Sequence, residues 1–187
     1  MGLQLGYGTY RIHNNVQIPA ISASFNAANA ATGWAAGALF GYGKVINRRF
    51  YLGGEIFFDG NNFEQTSDFA GGTFPYSNQT TSGPIYGIGL LPGIKMTNET
   101  LTYIRLGWSR LEIKTKESIA GVLINNVSKL TNSFVFGIGM ETLITSSFSV
   151  RAEYDKMYFS SYNTDSFYNT KVSPSSAQFM LSIITHF

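Results

Sequence analysis

Period-two alternation of bulky apolar residues with small or polar ones runs through almost the whole chain, and helical periodicity is nearly absent. The alternation predicts eight strands of 9 to 14 residues, at about 2–10, 33–45, 49–59, 84–96, 100–113, 131–144, 148–159 and 177–187. Most of them are longer than the ~5–6 residues of an ordinary globular strand. They match the ~9–11 residues with which a tilted strand crosses a bilayer.

The connections between these strands alternate in length. Three are short, at 46–48, 97–99 and 145–147, and four are long, at about 11–32, 60–83, 114–130 and 160–176. Short turns on one side and long loops on the other are typical of bacterial outer-membrane barrels. We therefore predict an all-β fold, an eight-stranded antiparallel up-and-down transmembrane barrel that forms one domain over residues 1–187. Its short turns and both termini are expected in the periplasm, and its long loops outside the cell.

Composition excludes several other classes of protein. Charged residues make up only 13% of the chain, about half the usual share, yet the longest stretch without Asp, Glu, Lys or Arg (12–43) is too rich in Asn, Ser and Gly for a membrane helix. A net charge of +2 does not indicate a nucleic-acid partner. The absence of cysteine excludes disulfides and thiolate metal sites, and no pattern indicates a cofactor. Met1 and Gly2 lead directly into the first predicted strand, as expected of a mature protein given a start codon.

The two faces of each predicted strand differ in a way that indicates which one meets lipid. In 131–144, for example, one face carries Phe134, Phe136 and Ile138, and the other carries small residues and a charge. Glycine suits the crowded lumen of a narrow barrel better than a wet sheet surface. We therefore expect the bulky face to meet lipid. The alternative is a soluble sheet with a solvated charged face.

Charges in the middle of a strand should then point inward, because a charge on the lipid face at the middle of the membrane costs about 2–4 kcal/mol. A turn centred on Ser146 places Glu141 directly opposite Arg151. The predicted lumen charges are Glu55, Arg105, Glu141, Arg151 and Glu153.

Aromatic residues near the strand ends suit two girdles at the membrane interfaces. They are Tyr7, Tyr10, Trp34, Tyr42, Phe50, Phe58, Tyr86, Trp108, Phe148, Tyr154 and Tyr158. The alternative interpretation is a large aromatic core.

Motifs in almost every strand, in order, resemble the eight-stranded transmembrane domain of the OmpA family. They are GLQLGYG (2–8), LFGYG (39–43), LGGEIFFDG (52–60), YIRLGW (103–108), VFGIGME (135–141), VRAEY (150–154) and MLSIITHF (180–187). The resemblance implies a bacterial outer-membrane location among phospholipid and lipopolysaccharide, and a lumen closed by inward glutamates paired with cations. Glu55, Glu141, Arg105 and Arg151 stand at matching positions, whereas Leu91 replaces the inward lysine of the family. No peptidoglycan-binding domain follows, so anchoring to the cell wall is not implied.

The end of the chain is similar to the signal that the outer-membrane assembly machinery reads in such proteins. Phe187 is a terminal aromatic residue, and Phe179, Leu181 and Ile183 precede it in alternation. The resemblance therefore implies the assembly machinery as a partner.

The long loops carry most of what can be inferred about function. One contains Phe63, Phe69, Phe74 and Tyr76, and another contains Lys114, Lys116, Glu117 and the apolar run 121–124. These residues indicate either a surface that docks a host molecule or another protein, or an extension of the strands beyond the membrane.

Three function classes follow from the sequence. We expect a scaffold that presents binding loops, and the alternative is a narrow channel for ions or small solutes. A lipid-modifying enzyme would need His13 with Ser22 or Ser24, but no motif of that kind is present, so we expect no catalysis.

Overall fold

The computed structural model describes residues 1–18, 23–69, 76–119, 121–165 and 169–187. These residues form ten strands: β1 (Gly2–Ile18), β2 (Ala23–Asn47), β3 (Phe50–Asn61), β4 (Glu64–Phe69), β5 (Tyr76–Lys95), β6 (Thr100–Ile119), β7 (Val122–Leu143), β8 (Phe148–Phe159), β9 (Tyr162–Asp165) and β10 (Asn169–Thr185). In the part of the chain that is described, no helix is long and apolar enough to cross a membrane.

Eight of the strands close into a ring of antiparallel neighbours. Their order is β1, β2, β3, β5, β6, β7, β8 and β10, and β10 pairs back with β1 from Gly2–Ile184 to Gln17–Asn169. The two short strands are continuations, since β4 follows β3 and pairs with β5, and β9 follows β8 and pairs with β10. The prediction of an eight-stranded up-and-down barrel is confirmed.

Three tight turns lie at one end of the barrel, which we call the short-turn end. Two of them are built alike, because Thr97 Oγ1 accepts hydrogen bonds from the backbone N–H groups of Glu99 (3.2 Å) and Thr100 (2.9 Å). Thr145 Oγ1 accepts equivalent bonds from Ser147 (3.3 Å) and Phe148 (3.1 Å). A threonine hydroxyl thus satisfies the backbone donors that each turn leaves unpaired.

At the opposite end, which we call the long-hairpin end, the strands extend well beyond their predicted limits. β1 and β2 stay paired until Ile18 faces Ala23, and β6 and β7 until Ile119 faces Val122. The predicted strands stopped where the apolar alternation stops. The polar segments beyond it satisfy their backbone groups by pairing with each other, so the connecting loops are largely ladders.

The two faces of the barrel wall are as different as the alternation indicated. Phe134 is 54% exposed on the outside, whereas its neighbour Val135 is fully buried in the interior.

Tyr10 is the exception among the predicted girdle residues. It shares the inward face of β1 with Gln4 and is 3% exposed, so its assignment to a girdle was wrong. The period of two fixes this outcome, because Tyr7 and Tyr10 are separated by an odd number of residues.

Candidate functional site

The interior of the barrel contains a layer of charged side chains nearer the short-turn end. All five predicted lumen charges, Glu55, Arg105, Glu141, Arg151 and Glu153, point inward and are buried. They come from β3, β6, β7 and β8, so the closed ring brings together residues that are far apart in the chain.

Glu55 lies between the two arginines and contacts both. Its Oε1 is 2.7 Å from Nη2 of Arg105, and its Oε2 is 2.7 Å from Nη1 of Arg151. The Glu55 side chain is only 1% exposed. A carboxylate buried this deeply remains stable only when cations and hydrogen bonds compensate for lost water. Both guanidinium groups supply a cation, and Arg151 also donates a hydrogen bond.

Arg105 is the centre of the first half of the layer. Nη1 of Arg105 lies 2.7 Å from Oδ2 of Asp155 and also pairs with Glu153. Its guanidinium group stacks over the Phe57 ring, 4.3 Å from the centroid. Tyr103 donates a 2.5 Å hydrogen bond to Glu153. One cation therefore holds three carboxylates, counting Glu55.

Arg151 forms the second half, closer to the short-turn end. Its Nε and Nη2 donate to Oε2 of Glu141 at 3.0 and 2.9 Å. The other oxygen of Glu141 accepts from the Ser149 hydroxyl at 2.7 Å and lies 3.2 Å from Nε2 of His186. The predicted opposition of Glu141 and Arg151 is the register that the structure has.

Asp59 and Asp155 are part of this layer, although they were not among the predicted lumen charges. Asp155 pairs with Arg105, and Asp59 accepts a hydrogen bond from Gln4. Each follows a predicted lumen residue at an even spacing on the same strand: Asp59 is four residues after Glu55, and Asp155 is two after Glu153. The period-two pattern therefore contained the signal for both.

An apolar layer fills the interior nearer the long-hairpin end. It contains Tyr10, Phe57, Phe63, Ile85, Leu111, Ile113, Val135, Met157 and Phe159. The Tyr10 ring stacks on Phe63 at 6.3 Å and meets Phe159 edge to face at 5.9 Å. Leu111, Val135 and Met157 are 0% exposed, so a water-sized sphere does not reach them.

Phe63, which the sequence placed in a long loop as part of either a docking surface or a strand extension, is buried in the barrel. It lies in the break between β3 and β4 and is 2% exposed, with its ring inside the barrel. Hydrogen bonds from Asn62 N–H to the carbonyl of Trp34 (3.2 Å) and from Ser82 N–H to the carbonyl of Phe63 (3.0 Å) hold the break in place. Phe74 and the side chains of Phe69 and Tyr76 lie outside the described residues.

A cavity of about 560 Å³ opens at the short-turn end, below the charged layer. Glu55, Glu141 and Arg151 contribute to its wall, together with Tyr51, Leu91 and His186. Leu91, which the sequence resemblance matched to an inward lysine, is 2% exposed. The cavity therefore reaches the charged layer at Glu55, Glu141 and Arg151.

The predicted girdle and assembly-signal residues lie on the outer surface. The girdle residues Tyr7, Trp34, Tyr42, Phe50, Trp108 and Tyr154 are all exposed, and the rings of Tyr7 and Trp34 meet edge to face at 5.2 Å. Phe179, Leu181 and Ile183 point outward from β10, and Phe187 is 91% exposed.

The side chains of His13 and Ser24, and all of Ser22, lie outside the described residues.

The hairpin of β6 and β7 carries the predicted cations and apolar run beyond the barrel. Lys114 is exposed and lies 3.7 Å from Glu112, and Lys116 is exposed on the same strand. At the tip, Val122 is 67% and Leu123 57% exposed. Among the described residues, no group of three or more His, Asp or Glu side chains is arranged to hold a metal ion.

Comparison with known proteins places this architecture in a family. Residues 1–183 match the family of the outer membrane protein beta-barrel domain. No curated protein matches the sequence.

Solved structures similar to the chain are also outer-membrane barrels. The outer membrane protease OmpT from Escherichia coli is 8% identical with a TM-score of 0.57, over 99% of this chain and 96% of that one. Ail, the attachment invasion locus protein of Yersinia pestis, is 15% identical with a TM-score of 0.46, over 98% of each chain. Neisserial surface protein A is 10% identical with a TM-score of 0.41, over 98% of this chain and 97% of that one. At these identities the likeness shows the fold alone.

Proposed function

The chain belongs to the outer membrane protein beta-barrel family, and from this premise we propose that it is a closed, non-catalytic scaffold whose long hairpins present a binding surface to the cell exterior. It is a protein of the bacterial outer membrane. The observation that carries the proposal is the filled interior: a charged layer centred on Arg105 and an apolar layer centred on Met157 lie one above the other. With the lumen occupied, the exposed hairpins are the surface that remains for binding.

The alternative function, a narrow channel, makes the opposite prediction about the interior. Eight strands enclose only enough space for side chains, and here the buried ion pairs of Glu55 with Arg105 and Arg151 cross that space. Opening a path would separate buried charges, and each broken pair costs about 3–5 kcal/mol. We therefore expect the resting barrel to be closed to ions.

Planar-bilayer recording tests the closed interior. The refolded barrel, identified by its heat-modifiable migration on a gel, is expected to give no steady conductance above that of the empty bilayer. Steady channels that scale with the amount of folded protein would favour the transport function instead.

The surface role is tested with the tip of the β6–β7 hairpin. Cells that display the barrel are scored for adherence to a cultured epithelial monolayer, with Val122→Ser/Leu123→Ser as the test variant. Because both side chains are exposed, the barrel should fold normally while adherence falls. The matched control is Leu130→Ser, which removes an equally exposed apolar side chain lower on the same hairpin. Equal adherence of the tip variant and the wild type would argue against a docking role for the tip.

The orientation in this proposal places the long-hairpin end outside and both termini in the periplasm. Because the chain has no cysteine, single substitutions give unique labelling sites. On intact cells, a membrane-impermeant maleimide should label Val122→Cys but leave Ser146→Cys, in a short turn, unlabelled. Labelling of Ser146→Cys alone would reverse the assigned orientation.

The C-terminal residues are proposed to serve assembly. Phe179, Leu181 and Ile183 alternate on the outer face of β10, and Phe187 extends beyond the end of the strand. Such a pattern remains accessible to the assembly machinery before the barrel closes.

A further inference from the structure

Four aromatic side chains form a continuous row on the outer surface near the seam where the barrel closes. Strand register places Tyr154 beside Phe179, Phe179 beside Tyr7, and Tyr7 beside Trp34. All four are exposed, and Tyr7 and Trp34 are in ring contact. Aromatic rows of this kind lie at the boundary between hydrocarbon and headgroups, so the row marks that level on β8, β10, β1 and β2.

The next two rows of outward-facing residues toward the long-hairpin end carry two cations with small residues between them. The first runs from Lys156 through Ala177 to Thr9, and the second from Tyr158 through Ser175 to Arg11. Lys156 and Arg11 are exposed, and the residues between them are small. Two cations therefore border a shallow floor of alanine, serine and threonine directly above the aromatic row.

Neither cation forms an ion pair with a residue that the structure describes. Within the described part of the chain, no carboxylate lies within 4.0 Å of Arg11 or Lys156. Nζ of Lys156 instead lies 5.1 Å from the centre of the Tyr158 ring, and Arg11 lies two strands away on β1, in the second of the two rows. Two like charges on a lipid-facing surface repel each other, and a shared anion would compensate for both.

We infer that these two rows form a site for a phosphate group of lipid A, the phosphorylated glycolipid of the outer leaflet. Lys156 and Arg11 would pair with the phosphate, the small side chains of Thr9 and Ala177 leave room for the sugar headgroup, and the acyl chains continue over the Tyr7–Phe179 row. This inference rests on the proposed orientation, because only that orientation exposes the rows to the outer leaflet. It does not depend on what the hairpins bind.

Native mass spectrometry of the refolded barrel in detergent tests the site with purified diphosphoryl lipid A as the probe. The test variant is Arg11→Gln/Lys156→Gln, and the matched control is Lys44→Gln, which removes an exposed cation of β2 near the short-turn end. A basic residue at a membrane surface contributes about fivefold in anionic-lipid binding, so the double variant should bind about 25-fold more weakly. The Lys44 control and the charge-preserving Lys156→Arg should bind like the wild type.

Two further probes separate the sources of phosphate. Dephosphorylated lipid A should bind the wild type as weakly as diphosphoryl lipid A binds the double variant, and inorganic phosphate alone should leave no adduct at the same concentration. Equal binding of lipid A by the double variant and the wild type, tight binding of dephosphorylated lipid A, or a stable adduct with free phosphate would each overturn the inference.

The heat-modifiable gel shift shows whether each variant is folded. If the double variant fails to fold, Lys156→Gln alone carries the test, with an expected loss of about fivefold. Unchanged binding in that folded variant would also count against the site. Because this assay uses no hairpin ligand and no conductance, its failure leaves the scaffold function untouched, whereas the maleimide labelling tests the orientation independently.

Discussion

Glu141 and Arg151 face each other across the last short turn, and one carboxylate oxygen of Glu141 accepts hydrogen bonds from two nitrogens of Arg151, at 3.0 and 2.9 Å. The short turn fixes this pair, since it sets the register of β7 and β8. A third residue of the charged layer, Glu55, is on β3 and contacts Arg151 across the lumen. Arg151 therefore has two carboxylate partners, one local and one distant.

Replacing Arg105 should destabilise the barrel more than any other single change in the charged layer. Arg105→Gln removes the shared cation of Glu55, Glu153 and Asp155, all buried. Leaving buried carboxylates without their cation should lower the free energy of unfolding by about 3–5 kcal/mol. Urea unfolding in lipid vesicles, followed by tryptophan fluorescence, measures the change. Lys44→Gln, at an exposed site, should stay within about 0.5 kcal/mol of the wild type, and an equal effect of the two variants would contradict the importance of the layer.

Glu141→Gln should have a smaller effect than Arg105→Gln. Arg151 keeps Glu55 as a partner, and the Glu141 side chain is 10% exposed at the edge of the cavity. We expect a loss of about 1–3 kcal/mol, typical of a weakened buried hydrogen bond. The same unfolding assay checks the order of the two variants, and a larger loss for Glu141→Gln would contradict the central role of Arg105 in the charged layer.

Phe63→Ala should destabilise the barrel although the sequence placed Phe63 in a surface loop. The ring packs against Tyr10 inside the apolar layer, and deleting a buried phenylalanine costs about 3–5 kcal/mol. Val122→Ala, at the exposed hairpin tip, is the control and should change stability by no more than about 0.5 kcal/mol. A loss as small as that of the control would mean that Phe63 does not fill the lumen.

Gly37→Ala tests the close packing of the interior. A methyl group on Gly37 would overlap the backbone carbonyl of Phe58 and the carboxylate of Asp59, so the strands would have to shift. Overpacking of this kind costs about 1–3 kcal/mol. At Gly54 the nearest atom to a new methyl group is the carbonyl of Gly89 at 3.9 Å, so Gly54→Ala should be tolerated. Chemical unfolding of both variants distinguishes them, and equal stability would refute the packing argument.

Phe187→Ala should slow assembly without weakening the finished barrel. The side chain is 91% exposed, so its removal should alter the free energy of unfolding by less than about 0.5 kcal/mol. In cells, the fraction of newly made protein with heat-modifiable migration should rise more slowly than in the wild type. A normal rate of assembly would contradict a role for Phe187 in recognition by the assembly machinery.

Local patterns in the sequence determined the eight strands, the closed barrel, the lipid-facing side of each strand and the opposition of Glu141 and Arg151. Each of these follows from the period of two and from short turns, which fix register between neighbours. The same rule already implied that Tyr10 points inward and that Asp59 and Asp155 share a face with the predicted lumen charges.

Only the tertiary structure decided which side chains contact each other across the lumen. It also decided which side chains share the outer surface above the membrane. Glu55 contacts both arginines, and Phe63 packs on Tyr10, because ring closure brings together strands that are far apart in the chain. The long hairpins extend as ladders because backbone pairing does not require apolar alternation, which was the signal that set the predicted strand ends. Arg11 and Lys156 lie on either side of β10 for the same reason, since the first strand pairs with the last only when the barrel closes.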